Sequence, residues 1–248
     1  MDSSLSLVTS EKLCYTEKRV IIRPCRHPGR RERNADMEGK FIVFEGLDGS
    51  GKSTQIRYLE QRLKELGRAV DVTAEPTVSA LGGLVRDALC GYTPRTGAEI
   101  AALFMADRVQ HNMNPVWGIQ KMLRDGRDVI CDRYYYSSLA YQGTVTDPDW
   151  VAHINMDCPE IRKPDLCVFL DVDYERCRRR MEEGRAFLEI YENDESMIAT
   201  RNRYYRIFEE LKDVDRIVIV DADRPIEEVA EDVFRAVEPL FSEENTAE

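Results

Sequence analysis

A glycine-rich segment near residue 50 constrains the fold of this chain more than any other feature. Residues 46–53 read GLDGSGKS, a complete match to G-x-x-x-x-G-K-[ST]. An apolar run at residues 41–44 precedes the segment, and a helical pattern over residues 53–66 follows it. Glycine lets backbone N–H groups turn inward around phosphate oxygens, and the N-terminus of a following helix favours the same anion. The segment therefore predicts a phosphate-binding loop between a buried strand and a helix.

This motif indicates ATP and Mg²⁺ as cofactors. Lys52 is expected to reach the β- and γ-phosphates, and the Ser53 hydroxyl is expected to bind Mg²⁺. The residues predicted to bind the nucleotide are Gly46, Leu47, Asp48, Gly49, Ser50, Gly51, Lys52, Ser53 and Thr54. No Asn-Lys-x-Asp signal for guanine is present, and the 212 residues from Met37 onward suit a nucleotide or nucleoside kinase.

The rest of the chain alternates between short apolar runs and helical patterns. The apolar runs predict strands at residues 41–44, 69–73, 128–131, 166–170 and 216–220. Helices are predicted at residues 53–66, 81–89, 97–123 with a bend near Pro115, 135–142, 174–182, 195–211 and 226–241. Five apolar strands separated by helices predict an α/β fold of the P-loop NTPase type, a three-layer sandwich with a five-stranded parallel sheet.

Charged side chains follow the ends of the predicted strands, where ligands bind in open parallel sheets. Asp132 is placed where a Walker-B-type carboxylate holds Mg²⁺ through water, although a local Arg could pair with it instead. Arg133, the next residue, can grip a monophosphate through two parallel hydrogen bonds, or form a structural ion pair. Asp48, Glu75 and Asp171 are expected at the same edge.

The formal net charge of −11 is unevenly distributed. Residues 1–36 carry eight basic and five acidic side chains, whereas the remainder carries 27 basic and 41 acidic ones. An acidic domain argues against a general nucleic-acid binder, and no apolar run is long enough to span a membrane. Seven Cys without metal-ligand spacing indicate a reducing, cytoplasmic location.

Residues 1–36 are predicted to form a disordered N-terminal extension, and residues 37–248 the folded domain. The extension is Arg-rich and lacks a long apolar segment, so a secretory signal is not expected. A targeting peptide, a phosphate-binding arm, or a stretch translated ahead of a start at Met37 remain open alternatives.

Several segments, in order, resemble the thymidylate kinases. They are FIVFEGLDGSGKSTQ at residues 41–55, LFMADR at 103–108, DRY at 132–134, SSLAYQG at 137–143, PDL at 164–166, LDV at 170–172 and VDADRPIEEV at 220–229. The resemblance extends from residue 37 to about residue 236. It implies ATP-dependent phosphorylation of dTMP, a homodimer formed through the long helices, and a lid over residues 183–193.

The resemblance also implies how the acceptor nucleotide is held. Arg108 corresponds to the residue that hydrogen-bonds the thymine edge, and Phe104 lies four residues earlier on the same helix face, where it can stack on the base. Arg133 corresponds to the clamp for the acceptor phosphate. Asp48 is expected near the 3′-hydroxyl and the Mg²⁺ site, and Tyr141 against the sugar, where it disfavours a 2′-hydroxyl. Further contacts are expected from Ser138, Gln142, Glu75 and Pro76.

Two departures from the family pattern affect these expectations. Many members carry Arg-Glu-Pro after the second strand, whereas this chain has Ala74 before Glu75 and Pro76. One group of members carries a catalytic Arg in the phosphate loop, where this chain has Gly49. An Arg of the lid must then neutralise the transferred phosphoryl group, and the candidates are Arg185 and, second, Arg180.

The sequence therefore predicts an ATP- and Mg²⁺-dependent thymidylate kinase. Two alternatives remain open at this point: a kinase for another deoxynucleotide or a deoxynucleoside, such as dUMP or dCMP, and a nucleotide-binding regulator that has lost catalysis. The intact set of Lys52, Ser53, Asp132 and Arg133 argues against the second alternative.

Overall fold

The computed structural model of the chain describes residues 38–184 and 194–242. The chain divides into two units, Met1–Ala35 and Asp36–Glu248, and the description below concerns the second. The predicted extension at residues 1–36 lies outside the described residues, as does most of the predicted lid, at residues 185–193.

The core of the fold is a five-stranded, entirely parallel sheet. Its strands are β1 (Phe41–Glu45), β2 (Val70–Ala74), β3 (Asp128–Asp132), β4 (Leu166–Asp171) and β5 (Ile217–Asp221). They lie in the order β2-β3-β1-β4-β5. Because β1 is central, the phosphate loop that leaves its carboxyl end lies beside the ends of β3 and β4. The predicted fold class is confirmed.

Helices cover both faces of this sheet. They are α1 (Lys52–Glu65), α2 (Ala80–Leu89), α3 (Gly97–Met113), α4 (Ile119–Arg124), α5 (Tyr135–Tyr141), α6 (Pro148–Met156), α7 (Tyr174–Gly184), α8 (Asp194–Leu211), α9 (Ile226–Val237) and α10 (Pro239–Ser242). A single turn of 3₁₀-helix, Gln142–Thr144, follows α5. Among residues 38–184 and 194–242, no helix is both long enough and apolar enough to cross a membrane.

Alternation of side chains along the strands builds two hydrophobic cores. Ile42 and Phe44 of β1 face a core that contains α1 and α9 residues, whereas Phe41 and Val43 face a second core that contains α5 and α8 residues. Every residue of β1 is buried, which explains why its sequence is a continuous apolar run that ends in a single carboxylate.

The prediction of one helix over residues 97–123 is wrong. The chain forms two helices, α3 and α4, because Asn114 adopts extended backbone angles, with φ −56° and ψ 127°. Pro115 follows Asn114; proline disfavours helical geometry in the residue before it and lacks the N–H that the helix needs. The side-chain oxygen of Asn114 accepts hydrogen bonds from the N–H groups of Val116 and Trp117, which stabilises the turn.

One further helix end and one whole helix differ from the prediction. The closing helix, predicted over residues 226–241, ends at Val237, and the short helix α10 follows it. Helix α6 was not predicted, although its start carries ordinary signals. The Asp147 side chain accepts a hydrogen bond from the Trp150 N–H, and Pro148 occupies the first helical turn, where proline is favoured.

Candidate active site

A cavity of about 560 Å³ opens at the carboxyl edge of the sheet. A volume of this order suits a small molecule, since ligand pockets commonly span about 300–1,000 Å³. Its walls come from the phosphate loop and the start of α1, the end of β2 and the segment after it, helices α2, α3, α5 and α7, the 3₁₀ turn after α5, and the end of β3. The lining residues are Asp48, Gly49, Gly51, Lys52, Ser53, Thr54, Ala74, Glu75, Pro76, Arg86, Leu89, Phe104, Arg108, Asp132, Arg133, Tyr134, Ser137, Tyr141, Gln142 and Arg180.

The phosphate loop owes its shape to glycines in backbone conformations that other residues avoid. Gly49 has φ 80° and Gly51 has φ 99°, both in the left-handed region. Within the loop, Lys52 donates hydrogen bonds from Nζ to the carbonyl oxygens of Gly46, at 3.1 Å, and Leu47, at 3.0 Å. Burial, and secondly the positive charge of Arg133, lower the pKa of Lys52. An anion that binds beside this ammonium group would stabilise its charged form, which burial disfavours.

The end of β3 places two charged side chains on the same cavity wall. The Oδ1 atom of Asp132 is buried and has no hydrogen-bond partner among the described residues. Arg133 follows with φ 66°, the only non-glycine residue with a positive φ in the part of the chain that the structure describes. Backbone outliers of this kind concentrate at functional sites, because only the surrounding structure can maintain them.

The Arg133 guanidinium group lies on the cavity wall and is held there by contacts with three side chains. It donates to Asp48 Oδ1 at 2.9 Å and to Ser137 Oγ at 3.0 Å, and it lies over the Tyr141 ring at 5.3 Å from the ring centroid. The carboxylate of Asp48 is also 3.9 Å from Lys52 Nζ. Asp48 therefore links the loop lysine to the arginine across the cavity.

A second arginine, which is fully buried, lies on α3 and is fixed by hydrogen bonds to several elements. Arg108 donates from Nε to Glu75 Oε2 at 2.8 Å, and its NH2 nitrogen lies 2.7 Å from the same oxygen. Its NH1 nitrogen donates to Ser138 Oγ at 3.1 Å and to Asn155 Oδ1. The other Glu75 oxygen is 3.0 Å from His111 Nδ1. Burying a guanidinium group requires such partners, since an isolated buried charge is costly.

Asp107, the neighbour of Arg108 on α3, has a different environment. Its carboxylate accepts hydrogen bonds from the Thr77 N–H at 2.7 Å, the Thr77 hydroxyl at 2.6 Å and the Ser79 hydroxyl at 3.0 Å. Asp107 therefore anchors the segment between β2 and α2. Phe104, one helical turn before Arg108, is 9 % exposed and contributes its side chain to the cavity wall.

Helix α7 packs directly against the phosphate loop. Arg180 donates from NH1 to the Gly49 carbonyl oxygen at 3.2 Å and lines the cavity. A Cβ atom at Gly49 would lie 2.3 Å from the Cys177 carbonyl oxygen, so this position has no room for a side chain. The close packing of α7 explains why the loop of this chain carries glycine where some resembling chains carry arginine. Arg185 lies outside the described residues.

Most of the residues predicted from the sequence meet at this one cavity, and the exceptions are informative. Gly46, Leu47 and Ser50 belong to the loop but do not line the cavity, and Ser138 lies behind Arg108 as its hydrogen-bond acceptor. Asp171 ends β4 at the predicted edge of the sheet but does not line the cavity, and its two carboxylate oxygens pair with Arg201, at 2.7 and 2.8 Å.

The sequence reasoning missed four residues of the cavity wall: Arg86, Leu89, Tyr134 and Ser137. Arg86 and Leu89 lie three positions apart on α2, so the helical period groups them on one face, but nothing local shows that this face meets a ligand site. Arg86 donates to the carbonyl oxygens of Pro76 and Thr77, at 3.1 and 2.6 Å. Arg86 thereby places a positive charge on the cavity wall, to which Ala74, at the position where many resembling chains carry Arg, contributes none.

A phosphate loop at the end of a central parallel strand, with two hydrogen-bonded arginines lining the same cavity, defines a P-loop kinase. Comparison with known proteins identifies the family. The sequence model of the thymidylate kinases matches residues 44–233. This chain therefore belongs to the thymidylate kinase family.

Curated relatives of the chain carry the same family name. A probable thymidylate kinase of Pyrococcus horikoshii is 36 % identical over 207 residues, which are 81 % of this chain and 97 % of that protein. A thymidylate kinase of Caldicellulosiruptor saccharolyticus is 34 % identical over 212 residues, 83 % of this chain and 98 % of that protein. One of Pelotomaculum thermopropionicum is 35 % identical over 211 residues, 83 % of this chain and 95 % of that protein.

Proposed function

We propose that this protein is an ATP-dependent thymidylate kinase, which transfers the γ-phosphoryl group of ATP to dTMP and forms dTDP and ADP. The observation that carries the proposal is the shared cavity, in which the phosphate loop faces Arg133 and Arg108. A donor phosphate on the loop and an acceptor phosphate on Arg133 can therefore meet without a covalent enzyme intermediate.

The hydrogen-bond donors of Arg108 favour binding of a thymine or uracil base over cytosine. A guanidinium group donates hydrogen bonds and accepts none. Its described hydrogen bonds are made by Nε and NH1, while NH2, which lies 2.7 Å from Glu75 Oε2, carries two N–H groups and can turn one of them to a ligand as a donor. This donor matches the carbonyl oxygen at position 4 of thymine, whereas the amino group of cytosine would oppose it. Phe104, on the same face of α3, is proposed to stack on the base.

Arg133 is proposed to bind the acceptor phosphate. A phosphate group offers several charged oxygens to a guanidinium group, in a geometry that allows two parallel hydrogen bonds. Tyr141 packs on the same guanidinium group and is proposed to contact the sugar. Asp48, which reaches both Arg133 and the loop lysine, is proposed to lie near the 3′-hydroxyl.

The residues present fit a Mg²⁺ ion. Asp132 Oδ1 is a buried carboxylate oxygen without a partner among the described residues, and Ser53 Oγ lies on the same cavity. Mg²⁺ commonly binds through one or two protein groups, with substrate phosphates and water as its other ligands, and this pair of oxygens suits that mode of binding. When bound, the ion neutralises charge on the transferred phosphoryl group.

Arg180 is proposed to neutralise the transferred phosphoryl group together with Lys52. It lies over the loop, next to Gly49, on the helix that leads into the predicted lid. Arg185 remains the alternative for this role. Closure of the lid over residues 183–193 is proposed to exclude water, which would otherwise accept the phosphoryl group.

A cytoplasmic homodimer is the proposed form of the protein. The described cysteines are all free, which suits a reducing compartment. Helix α3 leaves Ala102 and Met113 exposed and Met105, Ala106 and Val109 half-buried, an apolar stripe at helical spacing that a second copy could cover. Sedimentation velocity of the wild type and of Ala106→Glu tests this assembly, because the added carboxylate should produce monomers.

Steady-state assays of ADP formation with dTMP, dUMP, dCMP and thymidine as acceptors test the proposed activity. The highest kcat/KM is expected with dTMP. A higher value for another acceptor would assign the protein to that substrate instead. Binding of ATP and dTMP without any ADP formation would contradict an enzymatic role and support a nucleotide-binding regulator.

A further inference from the structure

The carboxylate of Glu45 lies beneath the cavity and takes no direct part in the proposed reaction. Glu45 ends β1, immediately before the phosphate loop, and is fully buried. Oε1 accepts hydrogen bonds from the N–H groups of Tyr134, at 2.9 Å, and Ser137, at 3.1 Å. Oε2 accepts from the hydroxyls of Ser137, at 2.7 Å, and Tyr204, at 2.8 Å. Four donors thus converge on one side chain from α5, α8 and the turn after β3.

The first of these contacts bears on the backbone of Arg133. This residue has φ 66°, which is sterically disfavoured for any side chain other than glycine. The N–H of Arg133 donates to the Phe44 carbonyl oxygen at 2.9 Å, and the next N–H, that of Tyr134, donates to Glu45. The two peptide groups around Arg133 are therefore anchored on consecutive residues of β1.

The second contact bears on the Arg133 side chain. The Ser137 hydroxyl donates to Glu45 Oε2, so its lone pairs face the other way, and there it accepts from Arg133 NH1 at 3.0 Å. The Glu45 carboxylate thereby fixes the direction in which Ser137 can accept. The orientation of the Arg133 side chain thus depends on the hydrogen bond between Ser137 and Glu45, although Arg133 itself takes no part in that bond.

We propose that Glu45 is a positioning residue for acceptor binding: through Tyr134 N–H and Ser137 Oγ it holds the left-handed backbone and the guanidinium group of Arg133. This role rests on the proposed function at one point, namely that Arg133 binds the phosphate of the acceptor nucleotide.

The test begins with Glu45→Gln, which keeps the shape of the side chain but replaces one acceptor oxygen with a donor NH₂ group. The amide cannot accept from all four donors, so either the Tyr134 N–H or the Ser137 hydroxyl loses its partner. The KM for dTMP is expected to rise about tenfold, with the KM for ATP changed less than twofold. A merely structural loss would lower the active fraction, and hence kcat, without separating the two KM values.

Tyr204→Phe is the matched control. It removes one of the two hydroxyl donors to Glu45 Oε2, together with the contact of that hydroxyl with Ser137 Oγ at 2.9 Å, but it keeps the hydrogen bonds of Glu45 to Tyr134 N–H and Ser137 and that of Ser137 to Arg133. Its KM for dTMP is expected to stay within twofold of wild type. Equal increases in this KM for Tyr204→Phe and Glu45→Gln would overturn the assignment, because the effect would then come from loss of buried hydrogen bonds in general.

Ser137→Ala extends the comparison, since it removes only the link to the side chain. If Glu45 acts on the guanidinium group through Ser137, the double variant Glu45→Gln, Ser137→Ala should raise the KM for dTMP by less than the product of the two single changes. A fully multiplicative effect contradicts the route through Ser137.

Crystal structures of the wild type and Glu45→Gln give a result that does not depend on the substrate. In the variant, Arg133 is expected to leave its positive φ or to lose its contact with Ser137. If both features persist, the proposal is wrong whatever the enzyme phosphorylates. Wild-type turnover that favours an acceptor other than dTMP would instead overturn the proposed function and leave this structural comparison intact.

Discussion

The packing of α7 on the phosphate loop makes Gly49→Ala a sensitive test of the site. Gly49 has φ 80°, and a non-glycine residue in this region costs about 1–2 kcal/mol. The added Cβ would also lie 2.3 Å from the Cys177 carbonyl oxygen, which forces the helix and the loop apart. Overpacking of this kind costs about 1–3 kcal/mol, so the free energy of unfolding should fall by about 2–5 kcal/mol.

Substitutions at two other glycines separate the cost of the backbone conformation from the cost of overpacking. Gly67, after α1, has φ 80° but no atom within 4 Å of an added Cβ, so Gly67→Ala should lose only about 1–2 kcal/mol. Gly83, inside α2, has no positive φ and also no atom within 4 Å, so Gly83→Ala should gain about 0.5–1 kcal/mol from its helix propensity. The expected order of stability is therefore Gly83→Ala, wild type, Gly67→Ala, Gly49→Ala.

Thermal unfolding measures the loss of stability in Gly49→Ala, and equilibrium binding of ATP measures the effect on the phosphate loop. A domain of this size shifts its Tm by about 2–4 °C per kcal/mol, so Gly49→Ala should melt roughly 4–20 °C below wild type. It should also bind ATP more weakly, whereas the other two variants should bind it normally. If Gly49→Ala melts no lower than Gly67→Ala, the contact with α7 is not as close as described and the reasoning fails. By the same argument, Gly49→Arg should disrupt the loop rather than supply a catalytic arginine.

Three other predictions concern charged residues. Arg180→Ala should lower kcat at least about 100-fold with little change in the KM for dTMP, whereas Arg179→Ala, exposed on the same helix, should stay within twofold in the same assay. Asp132→Asn should raise the Mg²⁺ concentration that gives half-maximal activity; an unchanged Mg²⁺ titration would remove this residue from the metal site. Asp128→Asn, at a buried carboxylate paired with an arginine, should cost about 3 kcal/mol in urea unfolding, against less than about 1 kcal/mol for the half-buried Asp71→Asn.

The sheet and the phosphate loop were predictable because their signals are local. A continuous apolar run indicates a strand buried on both faces, and β1 is such a strand. The loop motif carries its own spacing, so it predicts a turn, a helix start and the placement of Lys52 together. The break between α3 and α4 was also a local signal, since Pro115 disfavours helical geometry at Asn114, but the prediction treated it as a bend.

The charge networks around the arginines could not be predicted in the same way. Arg108 is held by Glu75 and Asn155, which are 33 and 47 residues away in the sequence, so no local pattern connects them. The left-handed backbone of Arg133 likewise depends on Glu45, 89 residues before the Tyr134 N–H that it binds. These contacts form only once the strands have paired, which is why the resemblance indicated the residues but not what holds them.

The chain has a net charge of −11, yet its cavity is lined by arginines and a lysine that can bind an anionic nucleotide. The hydrogen bonds between these arginines and nearby carboxylates explain how both can be true. A buried arginine is stable only with an acceptor nearby, so each positive group that can bind a phosphate or a base brings a carboxylate with it. Arg108 brings Glu75, and Arg133 brings Asp48, with Glu45 behind Ser137. Acidic residues in this cavity therefore do not oppose an anionic ligand in the way that surface carboxylates would. They hold the donors in place, and their removal should weaken nucleotide binding even though it makes the site more positive.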